Sequence, residues 1–296
     1  MQFFQQCLSL TYVPIPEKLA CGLVAAVSLG SAQAAPIINE WFFNPAGEGQ
    51  EGARIIHEYL DINGASFMQL ERTAERVSGF RHHAVYSIIQ ADSNANLFRL
   101  DYPTGNITVT FEGVGTVLDN GRLRYDGGTL RMYQNPVFGQ YGTTEGIYGA
   151  DVGRQIARFD LVGGTAGYLD AQGRPQGRLP MRLRLDASNV QEGYFFDEEG
   201  QDLAHASGLG FELGFANSAS VRSDLLVAEL ACQFAGFTGA GCNGSAYDWR
   251  AEDRFLLSNN GQMTLVAVPE PGSLALFGIT LLGAGMVRRK RAALAA

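Results

Sequence analysis

The sequence predicts a mainly β protein whose central part folds as an antiparallel β-sandwich of jelly-roll type. Three observations predict it. Apolar and polar residues alternate at period 2 in several short runs, glycine-rich turn signals separate those runs, and helical patterning is confined to one central segment. The chain has 296 residues, of which 37 are Gly, with 46% hydrophobic and 18% charged residues. This composition excludes a collagen, a coiled coil and a largely disordered chain. The formal charge of −8 excludes a basic nucleic-acid binder, because no positive field exists to engage phosphates.

The first element is an apolar run, Leu19 to Gly30, followed by Ser31-Ala32-Gln33-Ala34 and then Ala35-Pro36. The run has the length of a signal-peptide core, and Ala32 and Ala34 supply the small residues required at −3 and −1 of a cleavage point between Ala34 and Ala35. It is too short for a permanent anchor across a hydrocarbon layer roughly 30 Å thick. Residues 1–34 are therefore expected to form a signal peptide, helical in its core, read by the secretion machinery and removed by signal peptidase.

Residues 35–267 form the exported part, expected to be one β-rich extracellular domain. Ile107, Val109 and Phe111 alternate with Thr108, Thr110 and Glu112, the period that buries one face of a sheet. Met181, Leu183 and Leu185 alternate with arginines, and Phe211, Leu213 and Phe215 with Glu212 and Gly214. Turn signals are read at Asp119-Asn120-Gly121, Asp126-Gly127-Gly128, Gly163-Gly164 and Asn259-Asn260-Gly261. Strands are thus expected at Ile37–Phe43, Arg54–Ile62, His83–Gln90, Gln155–Leu161 and Gly193–Asp197. Thr108–Leu118, Arg122–Tyr125 and Thr129–Tyr133 read as a meander, and Phe255–Ser258 with Gln262–Val266 as a terminal hairpin. Ser223 to Phe234 reads as the one helix, with Ser223 as N-cap.

Cys7 and Cys21 lie in the leader, which leaves Cys232 and Cys242 as the pair of the exported part. Outside the cytoplasm such a pair is expected to form a disulfide, and the glycines between them make the short loop easy to close. Setting aside Glu17 and Lys18 in the leader, and Glu270, Arg288, Arg289, Lys290 and Arg291 in the tail, 17 Arg face 28 Asp and Glu, a charge of −11 without one lysine. Lysine-based covalent chemistry is excluded.

Chemical motifs are scarce. His57, His82, His83 and His205 form no metal spacing, and the adjacent His82 and His83 point to opposite faces of a strand. The densest acidic patch, Asp197, Glu198, Glu199 and Asp202, is the one candidate for calcium, but its spacing is not that of an EF-hand and a solvated acidic turn is the expected reading. No metal, cofactor or catalytic residue is therefore assigned. Tyr125, Tyr133, Tyr141, Tyr148, Tyr168, Tyr247 and Trp249 could stack on sugar rings, although most are expected to fill the core or flank loops.

The last 29 residues, 268–296, hold Pro269-Glu270-Pro271, the apolar stretch Leu274 to Val287, and Arg288-Arg289-Lys290-Arg291. From Pro271 to Val287 is 17 residues, the bottom of the range for one transmembrane helix, and the basic cluster after it would hold that end on the cytoplasmic side. This arrangement resembles the PEP-CTERM sorting signal of Gram-negative bacteria. The resemblance implies recognition by an exosortase, transient residence in the inner membrane, and delivery to the cell surface or extracellular matrix. Within the exported part, residues 125–130, 193–197, 234–239 and 259–262 resemble flocculation-associated PEP-CTERM proteins. That second resemblance implies a non-enzymatic role in flocculation or biofilm formation, with exopolysaccharide as partner and no nucleic acid. The alternative is a secreted carbohydrate-active enzyme on the same scaffold.

Overall fold

The computed structural model describes residues 37–73, 76–92, 97–98, 106–135, 149–170, 173, 181–206 and 209–267. The chain divides into two compact units, Met1–Ala34 and Ala35–Ala296, and all described residues belong to the second. The leader, the cleavage point and the tail after Ala267 lie outside the described residues. Among the described residues, no helix is long and apolar enough to cross a membrane.

The strands are β1 (Trp41–Phe43), β2 (Arg54–Ile56), β3 (Tyr59–Arg72), β4 (Val77–Asp92), β5 (Leu97–Phe98), β6 (Asn106–Val117), β7 (Arg122–Asn135), β8 (Arg154–Tyr168), β9 (Met181–Val190), β10 (Phe195–Phe196), β11 (Leu209–Ser220) and β12 (Arg254–Ala267). The large sheet has the order β3-β12-β11-β9-β8-β7-β6-β4-β5, and β3 also pairs with β4. Every pairing is antiparallel, so eight long strands form a ring in which each is bonded on both sides. The expectation of a mainly β, antiparallel domain holds. The strand order departs from a jelly roll, because neighbours in sequence are neighbours in the sheet and no Greek-key crossover occurs.

The ring is filled, not hollow. Phe80, Tyr86, Phe111, Tyr125, Phe159 and Phe211 are fully or almost fully buried in one cluster that also takes Leu60, Ile62, Met132 and Leu265. An eight-stranded barrel is just wide enough for its own side chains to fill. The small sheet β10-β1-β2 joins this core: the Trp41 and Phe195 rings lie 6.0 and 6.1 Å from Phe211, which itself meets Phe159 edge-on at 4.9 Å. The Ile38 N–H bonds the Leu265 carbonyl and Ile37 bridges Val266, which ties the segment before β1 to the end of β12. The Asn44 N–H bonds the Tyr194 carbonyl beside the β1–β10 pair of the small sheet.

Three of the four turn signals proved to be interior strand positions. Asp119-Asn120-Gly121 is a true hairpin turn, with Gly121 at φ 77° and Asn120 Oδ1 accepting from Arg122 N at 3.1 Å. By contrast, Gly127-Gly128 lies within β7, Gly163-Gly164 within β8, and Asn259-Asn260-Gly261 within β12. The last correction removes the expected terminal hairpin: β12 is one 14-residue strand paired along its length with β3 and β11. At Gly128 the reason is a close backbone approach, since a Cβ there would sit 2.6 Å from the Glu112 carbonyl oxygen, whereas Gly127 and Gly163 face open space. The same crowding governs other glycines of the sheet. A Cβ at Gly64 would sit 1.9 Å from the Val85 carbonyl oxygen, and one at Gly115 2.2 Å from that of Arg124.

Asn259 is buried for a specific reason. Its amide donates to Ser66 Oγ at 2.7 Å and its Oδ1 accepts from Ser218 Oγ at 2.7 Å, tying β3, β11 and β12 together inside the domain. Also in the interior is His82, whose Nδ1 shares a 2.7 Å hydrogen bond with Tyr125 Oη. His83 points outward onto Phe234, so the two histidines take opposite faces as their adjacency requires. Burial, and to a lesser degree the neighbouring His83, pushes His82 from 6.5 down to about 3.

Two expectations follow for stability. Gly64→Ala should cost about 3 kcal/mol by overpacking, whereas Gly163→Ala, whose added carbon meets nothing within 4 Å, should stay within about 0.5 kcal/mol in urea unfolding. His82 must be neutral in the folded chain, so its contribution is complete above pH 6.5 and lost as pH falls toward 3. Between pH 6.5 and 4.5 the wild type should therefore lose about 2 kcal/mol more than His82→Leu, read from paired urea titrations.

Candidate functional site

The helix forms where the sequence placed it. Helix α1 begins as one α-turn, Asp224–Leu226, and continues as a π-helix, Val227–Phe234. Ser223 caps it by accepting from Leu226 N at 3.3 Å, and the Ala235 N–H bonds the Leu230 carbonyl five residues back. Its apolar face, Leu226, Val227, Leu230 and Ala231, covers Ala65, Phe67 and Val85 on the outside of β3 and β4. Each large side chain buried there contributes roughly 1.5–3 kcal/mol.

The chain after α1 is pinned by a disulfide between Cys232 and Cys242, with a Cα–Cα distance of 5.4 Å. The pinned loop places Phe237 against Phe67 at 5.6 Å and lays Gly241 under Tyr247, where an added Cβ would meet the ring at 2.7 Å. Arg254, the first residue of β12, is clamped between them: its guanidinium carbon lies 5.2 Å from the Phe237 ring centre and 5.6 Å from that of Tyr247. The Nη1 of Arg254 reaches Asp253 Oδ1 at 3.2 Å. Burial raises Tyr247 to about 12, against the lowering pull of the nearby Arg254 charge.

Above this clamp opens a cleft of about 440 Å³, bounded by Arg222, Tyr247, Asp248, Trp249, Arg250 and Glu252 together with Arg254. Trp249 meets Tyr247 edge-on at 4.6 Å. Asp248 folds the loop by accepting from Arg250 N at 3.0 Å. The cleft sits at the start of β12, and the strand ends 13 residues later at Ala267, a path of roughly 40 Å at strand rise.

Of the aromatic residues considered as sugar platforms, the fold brings only Tyr247 and Trp249 together in this cleft. Tyr125 is core, Tyr133 is half-buried and Tyr168 is exposed on β8, while Tyr141 and Tyr148 lie outside the described residues. The acidic patch resolves into turn chemistry. Asp197 Oδ1 accepts from the N–H groups of Glu199 and Gln201, and Asp202 accepts from Gly193 N at 2.6 Å and Ala204 N at 2.8 Å. Among the described residues, no group of three or more His, Cys, Asp or Glu is placed to hold a metal. Sequence reading passed over Arg254, Phe237 and Arg222. The one local signal was the aromatic-rich segment around the disulfide, which does not say what it will enclose.

The described β domain carries a disulfide, and its last strand finishes at Ala267. Residues 267–291 match the family model of the PEP-CTERM protein-sorting motif. The match covers Pro269, Glu270 and Pro271, the apolar stretch and the basic cluster Arg288, Arg289, Lys290 and Arg291. The chain thus carries a PEP-CTERM sorting signal, which implies processing by an exosortase and sorting to the cell surface. No curated protein and no solved structure matches it.

Opening the disulfide by Cys232→Ser with Cys242→Ser should lower stability by about 2–3 kcal/mol, measured by denaturant unfolding under identical conditions. In the same variant the fluorescence of Trp249 should shift to the red as its Tyr247 support loosens, while the fully buried Trp41 should report no change.

Proposed function

We propose that this chain is a non-enzymatic surface or matrix protein that supports flocculation or biofilm formation by holding exopolysaccharide. The observation that carries the reading is the join between domain and address: β12 ends at Ala267, where the sorting motif begins. The signal peptidase and secretion machinery would deliver the passenger, the exosortase would process its tail at the inner membrane, and the folded barrel would remain as cargo. A closed barrel suits that role. Its ring strands have no unpaired edges to aggregate outside the cell, and its −11 charge keeps it soluble among anionic polymers.

A secreted carbohydrate-active enzyme is the second reading, favoured by one observation: Asp248 and Glu252 line the same cleft as Tyr247 and Trp249. Hydrolysis would need one of these carboxylates as acid and the other as base or nucleophile. A glycan-hydrolysis screen of the full chain separates the two readings, since turnover lost in Asp248→Asn or Glu252→Gln would establish the enzyme.

The leading reading has its own test. Deleting Pro269 to Ala296 should remove the chain from the surface and matrix fractions and abolish cell aggregation. Aggregation that survives the deletion would overturn it.

A further inference from the structure

The base of the cleft is the contact of Arg254 with Tyr247, in which the guanidinium lies against the ring and hydrogen-bonds the Tyr247 side chain. The wall beside it is the Tyr247–Trp249 pair, a surface that accepts the C–H face of a ring. Arg222 and Arg250, both exposed, line the cleft together with Arg254, whose guanidinium is held between Phe237 and Tyr247 and paired with Asp253. Asp248 and Glu252 add acceptors for hydroxyl groups.

We infer that this cleft binds a carboxylated pyranose, a uronate unit of a surface polysaccharide. The inference rests on the matrix reading above and names the ligand class of its binding site. The carboxylate meets the arginines, where a planar guanidinium pairs two oxygens at once. The ring lies on Trp249 and Tyr247, and the hydroxyls reach Asp248 and Glu252. Single-stranded nucleic acid also combines flat rings with one negative charge per unit, and the acidic domain repels both polymers alike. The feature that favours a sugar is the pair Asp248 and Glu252, which can accept from ring hydroxyls. The cleft is built at the start of β12, 13 residues before Ala267, where the matched motif begins in the sequence.

The chain contains two tryptophans, and Trp41 is fully buried, so intrinsic fluorescence reports on Trp249. The full chain is titrated with polygalacturonate, alginate, dextran and poly(dT), and the variants are checked by thermal melting. At least one uronan should quench fluorescence saturably, with dextran and poly(dT) binding at least about tenfold more weakly. Trp249→Ala, followed by affinity electrophoresis in the same uronan, should weaken binding about tenfold. Arg222→Ala, at an exposed position that leaves the fold intact, should weaken it about threefold. The idea is overturned if neither uronan binds, if dextran or poly(dT) binds as tightly, or if both variants bind like the wild type. Surface delivery is scored separately in cells. A delivered chain that ignores uronans defeats this inference alone, whereas a chain missing from the surface defeats the matrix reading.

Discussion

The pairing of β3 with both β4 and β12 is the constraint on which the rest of the structure depends. It joins the first long strand to the last, and so turns a meander into a ring. Once the ring closes, each long strand has an inner and an outer face, and the inner face must be apolar or internally satisfied. The Ser66–Asn259–Ser218 bonds and the His82–Tyr125 bond are the polar exceptions on that face, each placed where neighbouring strands can supply a partner. Closure also dictates where glycine is needed. Gly64 and Gly115 stand where two backbones approach too closely for any Cβ, so their cost in chain entropy is offset by a contact that no other residue permits.

The outside of the ring is used unequally. Over β3 and β4 the outward residues Ala65, Phe67 and Val85 are covered by α1, and the Cys232–Cys242 bridge holds the following loop over the start of β12. That loop turns Arg254 from an ordinary edge residue into a clamped one, stacked between Phe237 and Tyr247. The disulfide therefore does more than shorten the unfolded chain: it sets the floor of the cleft bounded by Tyr247 and Trp249. The two ends of β12 differ in kind, with the aromatic-lined cleft at Arg254 and the sorting address beginning at Ala267.

Much of this was legible before any coordinates. Period-2 alternation located strands around Ile107–Phe111 and Phe211–Leu213, and the Ser223 cap with its apolar run located α1. The tail was legible because its signal is linear: tripeptide, apolar stretch and basic cluster act in order along the chain. Glycine misled where it stood inside a strand instead of at a turn. In Asn259-Asn260-Gly261 the residue types of a hairpin occupy the middle of β12, where Asn259 is buried and bonded to Ser66 and Ser218.

The sequence by itself determined the strand-rich character, the helix, the cysteine pair available for a bridge and the route of export. Each of these follows from residues close together in the chain. Tertiary structure alone decided that the sheet closes on itself, that His82 faces inward while His83 faces α1, and that Arg254 meets Phe237 and Tyr247 at one cleft. These are contacts between residues far apart in sequence or choices between two faces of one strand, and local periodicity carries no information about which face the ring will enclose.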